Sequence, residues 1–176
     1  MQMRHLGQVT LSEAAALKTV RLKKERGLSN HLSKSGAGHE SGADDMLKKN
    51  EDIDRALEAL QKQPTQEGLA HALTVIRHRM QDGGQLIVSV EPPAGDGRIS
   101  LRAISTEDGG RWWTAFTSFE EQSRGGDSVQ SAFQADIRQL FHAALSVPEL
   151  DGIVINPWNH TLRMDKTLIR ITIGEK

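Results

Sequence analysis

LIVSVEPPAGDGRISLRAISTEDGGRWWTAF, residues Leu86 to Phe116, decides the fold. Its opening run, Leu86-Ile-Val-Ser-Val90, is short, apolar and β-branched, and reads as a buried strand. Glu91-Pro-Pro-Ala-Gly-Asp-Gly97 interrupts the run with residues that cannot continue a ladder, so it reads as a loop. Ile99, Leu101 and Ala103 then alternate with polar neighbours, the period of a strand with one buried face. Glu107-Asp-Gly-Gly110 turns the chain into Arg111-Trp-Trp-Thr-Ala-Phe116. Three consecutive strands joined by turns predict an antiparallel meander.

Upstream of this stretch the apolar period is helical. Asp44 or Asp45 can cap a helix carrying Leu47, Ile53, Leu57 and Leu60, and Pro64 stops it. Thr65 can cap a second helix whose Leu69, Leu73, Ile76 and Met80 share one face, ended by Gly83-Gly84. A short turn between two such helices predicts a helical hairpin. Downstream, Val129, Ala132, Phe133, Ile137, Leu140, Phe141, Ala144 and Leu145 predict a long amphipathic helix from Ser128 to Val147-Pro148. Asp151-Gly152 reads as a turn, Ile153-Val-Ile155 as a short buried strand, and Asn156-Pro157 as a break. The alternation of Ile169, Ile171 and Ile173 predicts a last strand within Leu162 to Ile173. The fold class is therefore α+β: a helical hairpin, an antiparallel three-stranded meander, a long amphipathic helix, and one or two further strands in a mixed sheet.

Charge divides the chain of 176 residues. Residues 1–40 hold seven Lys or Arg against three acids, and the remainder holds fifteen against twenty. The early part contains a capping box at Thr10 and Glu13, apolar Leu11, Ala14, Ala15, Leu17 and Val20, and basic Lys18, Arg21, Lys23, Lys24 and Arg26 before Gly27. It reads as a short basic helix, too short to persist alone in water. Ser29 to Gly42 carries a single Leu among small polar residues and reads as a flexible linker. The expected organisation is residues 1–43 as basic helix plus linker and 44–176 as the α+β domain.

The whole chain has no Cys and a formal charge of −1 at pH 7, which excludes a disulfide scaffold, thiol chemistry and a uniformly nucleic-acid-coated surface. No stretch approaches the ~18 consecutive apolar residues of a membrane span, and the first 30 residues lack a secretory apolar core. The expected compartment is the cytoplasm.

Two segments carry a family resemblance: Trp113-Thr-Ala-Phe-Thr-Ser118 at the end of the third strand, and Gly152-Ile-Val-Ile-Asn-Pro157 beyond the amphipathic helix. With the helical hairpin before them, they resemble the N-terminal domain of the SseB family, named for enhanced serine sensitivity, over roughly residues 45–176. The resemblance implies a bacterial α+β module and brings no defined biochemical activity with it. Residues 1–43 lie outside it.

The candidate surface is the sheet end where Trp112, Trp113, Thr117, Ser118, Asn156, Pro157, Trp158 and Asn159 are expected to converge. Thr117 and Ser118 offer hydroxyls at a strand end, although Ser118-Phe-Glu-Glu121 is also a capping box, which would spend the Ser118 hydroxyl on a helix. Asn156 to Asn159 either presents Trp158 as an anchor between amides or simply makes a turn with Trp158 closing the core. Trp112 and Trp113 must point to opposite faces of an extended segment, one to the core and one to the surface. The leading reading is a non-enzymatic protein-interaction or ligand-binding module whose partner is another protein, with no cofactor.

Two other classes stay open. An enzyme would bring Ser118, Asn156 and His160 together, with His160 within ~3.2 Å of a Ser or Thr hydroxyl. A nucleic-acid-associated protein would bind through Lys18, Arg21, Lys23, Lys24 and Arg26, although residues 1–43 contain no aromatic side chain for base stacking. A metal site is not expected: His71 and His78 stand seven residues apart on a helix, roughly 10 Å, too far for one ion. Gly36-Ala-Gly38 follows no strand and lacks the Lys-Ser/Thr ending of a phosphate loop.

Overall fold

The computed structural model describes residues 2–8, 47–90, 100–125 and 131–175. Helix α1, Glu51–Lys62, opens with Glu51, Asp52 and Asp54 and closes with Lys62, charges that suit the two ends of its dipole. Its buried residues Ile53, Ala56 and Leu57 recur at three and four, so one stripe faces inward. Gln63 and Pro64 break the chain, and the Thr65 hydroxyl accepts from the Gly68 amide at 3.0 Å to start α2, Gln66–Gln81. This is the helical hairpin read from the sequence, with its first helix starting at Glu51, beyond Leu47; the expected caps Asp44 and Asp45 lie outside the described residues.

Among the described residues the sheet has seven strands: β1, Gln2–Gln8; β2, Gln85–Ser89; β3, Ser100–Ser105; β4, Arg111–Phe116; β5, Ala132–Asp136; β6, Gly152–Ile155; and β7, Leu162–Asp165. Strand β4 is its centre. On one edge it pairs in parallel with β6, Trp112 opposite Gly152 through Ala115 opposite Ile155, and β6 pairs antiparallel with β7. The other edge is shared: β3 takes Arg111 to Trp113, and β2 takes Ala115 and Phe116. The three antiparallel strands are present, but not in the expected meander order: β4 lies between β3 and β2, and among the described residues β2 pairs with β3 only at the isolated bridge of Val90 and Leu101. Strand β1 adds to β3, and β5 adds to β2.

Three local expectations shift. The helical period from Val129 overruns a strand: β5 occupies Ala132–Asp136 because β2 offers it a five-residue antiparallel ladder, and the helix α4 begins only at Ile137. Asp136 sits at that junction and caps α4, its carboxylate accepting the Gln139 amide at 2.9 Å. The final strand is short, and Lys166–Ile173 is a helix, α5, rather than a continued strand. There Asp165 accepts the Leu168 amide at 2.8 Å, and Gly174 ends the helix at φ +84°. Ile169 and Thr172 are buried while Ile171 is 48 % exposed, so the alternating isoleucines mark two sides of a helix. Strand β1 is the third: it joins the sheet from within residues 1–43, which the sequence assigns to a basic helix and linker outside the α+β domain. The basic helix and linker read over 10–42, the loop 91–97 and the first residues of the predicted amphipathic helix lie outside the described residues.

Side chains of the sheet separate cleanly by parity. Leu86, Val88, Val90, Leu101, Ala103, Trp113, Ala115, Ala135, Ile153 and Ile155 join the buried stripes of α1, α2, α4 and α5 in one core. The opposite face holds two smaller clusters. Ile87, Phe116 and Ala132 pack with Leu47 and Trp158, and Ile104, Trp112 and Val154 form a separate group.

Candidate functional site

Because β4 and β6 run parallel and in register, their carboxyl ends finish together, and Thr117 and Asn156 are the next residue on each. The Asn156 amide extends the ladder by donating to the Ala115 carbonyl at 2.9 Å. Asn156 then turns into the left-handed region, φ +49°, which Asn tolerates better than most side chains. That turn swings its side chain across to Thr117. Its Oδ1 accepts the Thr117 backbone amide at 3.0 Å, while its Nδ2 donates to the Thr117 Oγ1 at 3.0 Å and to Asp54 Oδ1 at 3.1 Å. The Thr117 hydroxyl donates a hydrogen bond to Asp54 Oδ1 at 2.6 Å. Every donor therefore has an acceptor, and a flipped Asn156 amide would set NH₂ against N–H.

A second amide ties the far side of Thr117. Asn50 Nδ2 donates to the Gln85 carbonyl at 2.8 Å and to the Thr117 carbonyl at 2.9 Å, and its Oδ1 accepts Arg79 Nε at 3.3 Å. Asn50, Thr117 and Asn156 are all buried, at 1 %, 0 % and 1 % exposure. These groups lock α1, α2, β2, β4 and β6 at one end of the sheet. The Asp54 carboxyl, half-buried, is held above its ordinary value chiefly by burial, with the negative charge of Glu121 adding to the rise. The bonds from Thr117 and Asn156 and the nearby His160 pull in the other direction.

Outside the lock lies a rim. Ser118 caps the short helix α3, Phe119–Ser123, its Oγ accepting the Glu121 amide at 3.1 Å. The Ser118 hydroxyl is thus spent on the helix, as the capping-box reading expects, while the Glu121 carboxylate bonds Asn159 and Arg124 instead of returning to the Ser118 amide. Glu121 Oε1 accepts from Asn159 Nδ2 at 3.1 Å and from Arg124 Nε at 3.1 Å, which joins the two strand-end loops a second time. Gln122 Nε2 reaches the Ser89 hydroxyl at 2.8 Å, seating α3 on the sheet face opposite the main core. Pro157 is buried, Trp158 and Asn159 are half-buried, and Phe119 is 48 % exposed.

The two strand-end loops meet, and the adjacent tryptophans lie elsewhere. Trp112 and Trp113 open β4, so Trp112 sits five residues from Thr117, about 16 Å at the rise of a strand. They do point to opposite faces. Trp113 is fully buried in the main core, and Trp112, 6 % exposed, lies on the other face beneath the Arg163 guanidinium, 4.6 Å from its ring centroid. Its indole donates to Thr106 Oγ1 at 3.2 Å.

The Ser/His/Asn arrangement does not assemble. Ser118 Oγ serves as a cap and Thr117 Oγ1 donates to Asp54, and among the described residues no hydrogen bond joins His160 to a Ser or Thr hydroxyl. Among those residues, too, no group of three or more His, Asp or Glu can hold a metal ion. His71 and His78 line a shallow cleft of about 470 Å³ on the helical hairpin with Asp52, Arg55 and Asp82. Lys18, Arg21, Lys23, Lys24 and Arg26 lie outside the described residues.

The sequence reading missed Asn50, Asp54 and Arg79. Asp54 follows the buried Ile53 and precedes Leu57 by three, so it flanks the inward stripe of α1, a position where a carboxylate needs a partner. That was the available signal.

No curated protein and no solved structure matches this chain. The family described as SseB protein N-terminal domain matches residues 53–170, from the first buried residue of α1 to Arg170 in α5. That span takes in Asp54, Thr117 and Asn156, and it covers about two thirds of the chain. The chain belongs to the SseB family, through its N-terminal domain.

Proposed function

We propose that this protein is a non-enzymatic binding module of the cytoplasm, whose rim, formed by Ser118-Phe119 and Pro157 to His160, contacts another protein. One observation carries the reading: the lock of Asp54, Thr117 and Asn156 spends their polar atoms on one another and leaves two braced loops beside it. Loops held on a rigid scaffold are favoured sites of recognition. The rim also offers a half-exposed Phe119 on one loop and a half-buried Trp158 on the other, aromatic side chains of the type that dominates contact energies. The hydroxyls that an acyl-transfer enzyme would use are committed to a cap and to a carboxylate, which favours binding over catalysis.

The test is quantitative affinity purification of tagged full-length chain with a matched control. Phe119 and Ile171 are the two large apolar side chains most exposed among the described residues, each 48 %. Phe119→Asp should abolish recovery of the partner, and Ile171→Asp, on α5, should leave it unchanged. Equal recovery from both variants, with circular dichroism showing the native fold, would remove the rim from consideration.

A further inference from the structure

Strand β1 is held in the sheet by one ladder. Among the described residues its sole strand partner is β3, from Gln2 opposite Ser105 to Gln8 opposite Ser100. For β3 that ladder is the longer of its two sides: β4 takes only Ala103 to Ser105, and Val90 meets Leu101 at a single bridge. Yet β1 lies outside residues 53–170, the part that matches the family, and residues 9–46 stand between it and the next described element. The family domain thus contains a core strand, with Leu101, Ala103 and Ile104 buried, whose outer edge it does not itself close. An open edge is a template for another strand.

A ladder specifies which residues pair and is indifferent to which copy of the chain supplies each strand. Two features make a second copy the occupant. Residues 2–8 of another copy bring the same sequence in the same register, so every interaction of the pair survives the exchange. Residues 9–46 have a contour length above ~100 Å, against ~23 Å for β1 itself, so β1 can reach the β3 of a neighbour with both ladders intact. The alternative contact, edge-to-edge pairing of two β1 strands, is opposed by the shift of register between His5 and Gln8 and by the charge of Arg4, devices by which edge strands resist a further partner.

We propose that β1 is exchanged between two copies, residues 2–8 of each chain pairing with β3 of the other in the observed register. The dimer is closed, because each copy gives one strand and receives one. Its ladders are those of the monomer, so concentration decides between the two forms: exchange prevails above the effective concentration of the tethered strand, on the order of 1 mM, and the closed monomer below it. This surface runs along β3 and is separate from the rim at the ends of β4 and β6.

The chain has no Cys, so an introduced thiol is the only one in it. His5 and Arg102 are register partners, and opposed positions of an antiparallel pair stand ~4.5–5.5 Å apart at Cα, within the span of a disulfide. Full-length His5→Cys and Arg102→Cys chains, mixed at ~2 mM and oxidised with diamide, should join at least ten times faster than His5→Cys with Ser105→Cys, whose register partner is Gln2. The same mixture at ~20 µM should give at least tenfold less of the joined dimer. A chain carrying both His5→Cys and Arg102→Cys should close on itself at the lower concentration, which shows that the substituted strands still pair. Closure within that chain but no in-register dimer from the mixed chains would overturn the proposal, and so would joining at equal rates by the Ser105→Cys control. Should the substitutions disturb the fold, the unchanged chain decides: carbon-13-labelled and unlabelled copies mixed at ~2 mM should show filtered intermolecular nuclear Overhauser contacts between residues 2–8 and 100–105. Contacts confined to single copies would refute it.

Discussion

The two ends of β4 carry the same chemical pairing with opposite outcomes. Beyond its last residue, the Thr117 hydroxyl donates to Asp54, and before its first, the Thr106 hydroxyl donates to Asp108. Each carboxylate has further donors: Asn156 for Asp54, and Arg163 and the Gly110 amide for Asp108. Yet Asp54 is pushed above its ordinary value and Asp108 is held down at about 2. Desolvation is the largest influence on Asp54, whereas Asp108 is exposed and its Thr106 bond dominates, followed by Arg163. Donors alone do not fix the sign; whether water has been removed does.

The largest effect should come from breaking the buried end. Asn156→Ala leaves the Thr117 amide without its acceptor and puts Ala at φ +49°, and denaturant unfolding should show a loss of roughly 2–4 kcal/mol. Asn156→Gly relieves the backbone strain and should recover only a part of that loss. Next, Thr117→Val keeps the shape and removes the donor to Asp54, costing about 1–2 kcal/mol and raising the Asp54 pKa further, as read by carboxyl carbon shifts.

Asp54→Asn sharpens the contrast instead. A carboxyl whose folded pKa lies above its unfolded value of 3.8 holds its proton more tightly in the folded protein, so stability falls as pH rises from that value through the raised one. The amide keeps an acceptor oxygen for Thr117 and Asn156. Asp54→Asn should therefore flatten that decline and leave the protein at least as stable at pH 7, measured by unfolding midpoints across pH 4–8. At the exposed end, Arg163→Ala should cost no more than ~1 kcal/mol through the lost stacking on Trp112 and should move the Asp108 pKa upward. Smallest is the acid limb. Asp108 contributes stability above 3.8 that is lost as pH falls toward about 2, and Asp108→Asn should remove that limb from the titration.

Much of the frame was legible because its signals are local. Pro64 and the Thr65 cap mark the hairpin within a few residues, and the Ser118 cap is visible three residues ahead in Glu121. The meeting of Thr117 with Asn156 was legible too, from two strand ends flanking one helix. What escaped depends on remote partners. Ala132–Asp136 becomes a strand only because β2 presents a free edge some fifty residues earlier, and nothing within the segment announces it. In α5 a period of two in isoleucine coincided with a helix start at Asp165, and the cap was the better guide. Asp54 stands among the first-turn acids of α1, and its bonds to Thr117 and Asn156 bridge 63 and 102 positions of the chain, beyond the reach of any local signal for its partners.

Those separations impose an order in time. While the chain is being made, Asp54 leaves the ribosome long before Asn156 is added, and at ~5–20 residues per second the wait is roughly 5–20 s. For the first 63 of those 102 residues the nascent hairpin displays a carboxylate with neither of its eventual donors, and for the rest with Thr117 alone, a polar vacancy that disfavours premature closure of α1 onto whatever apolar chain has already emerged.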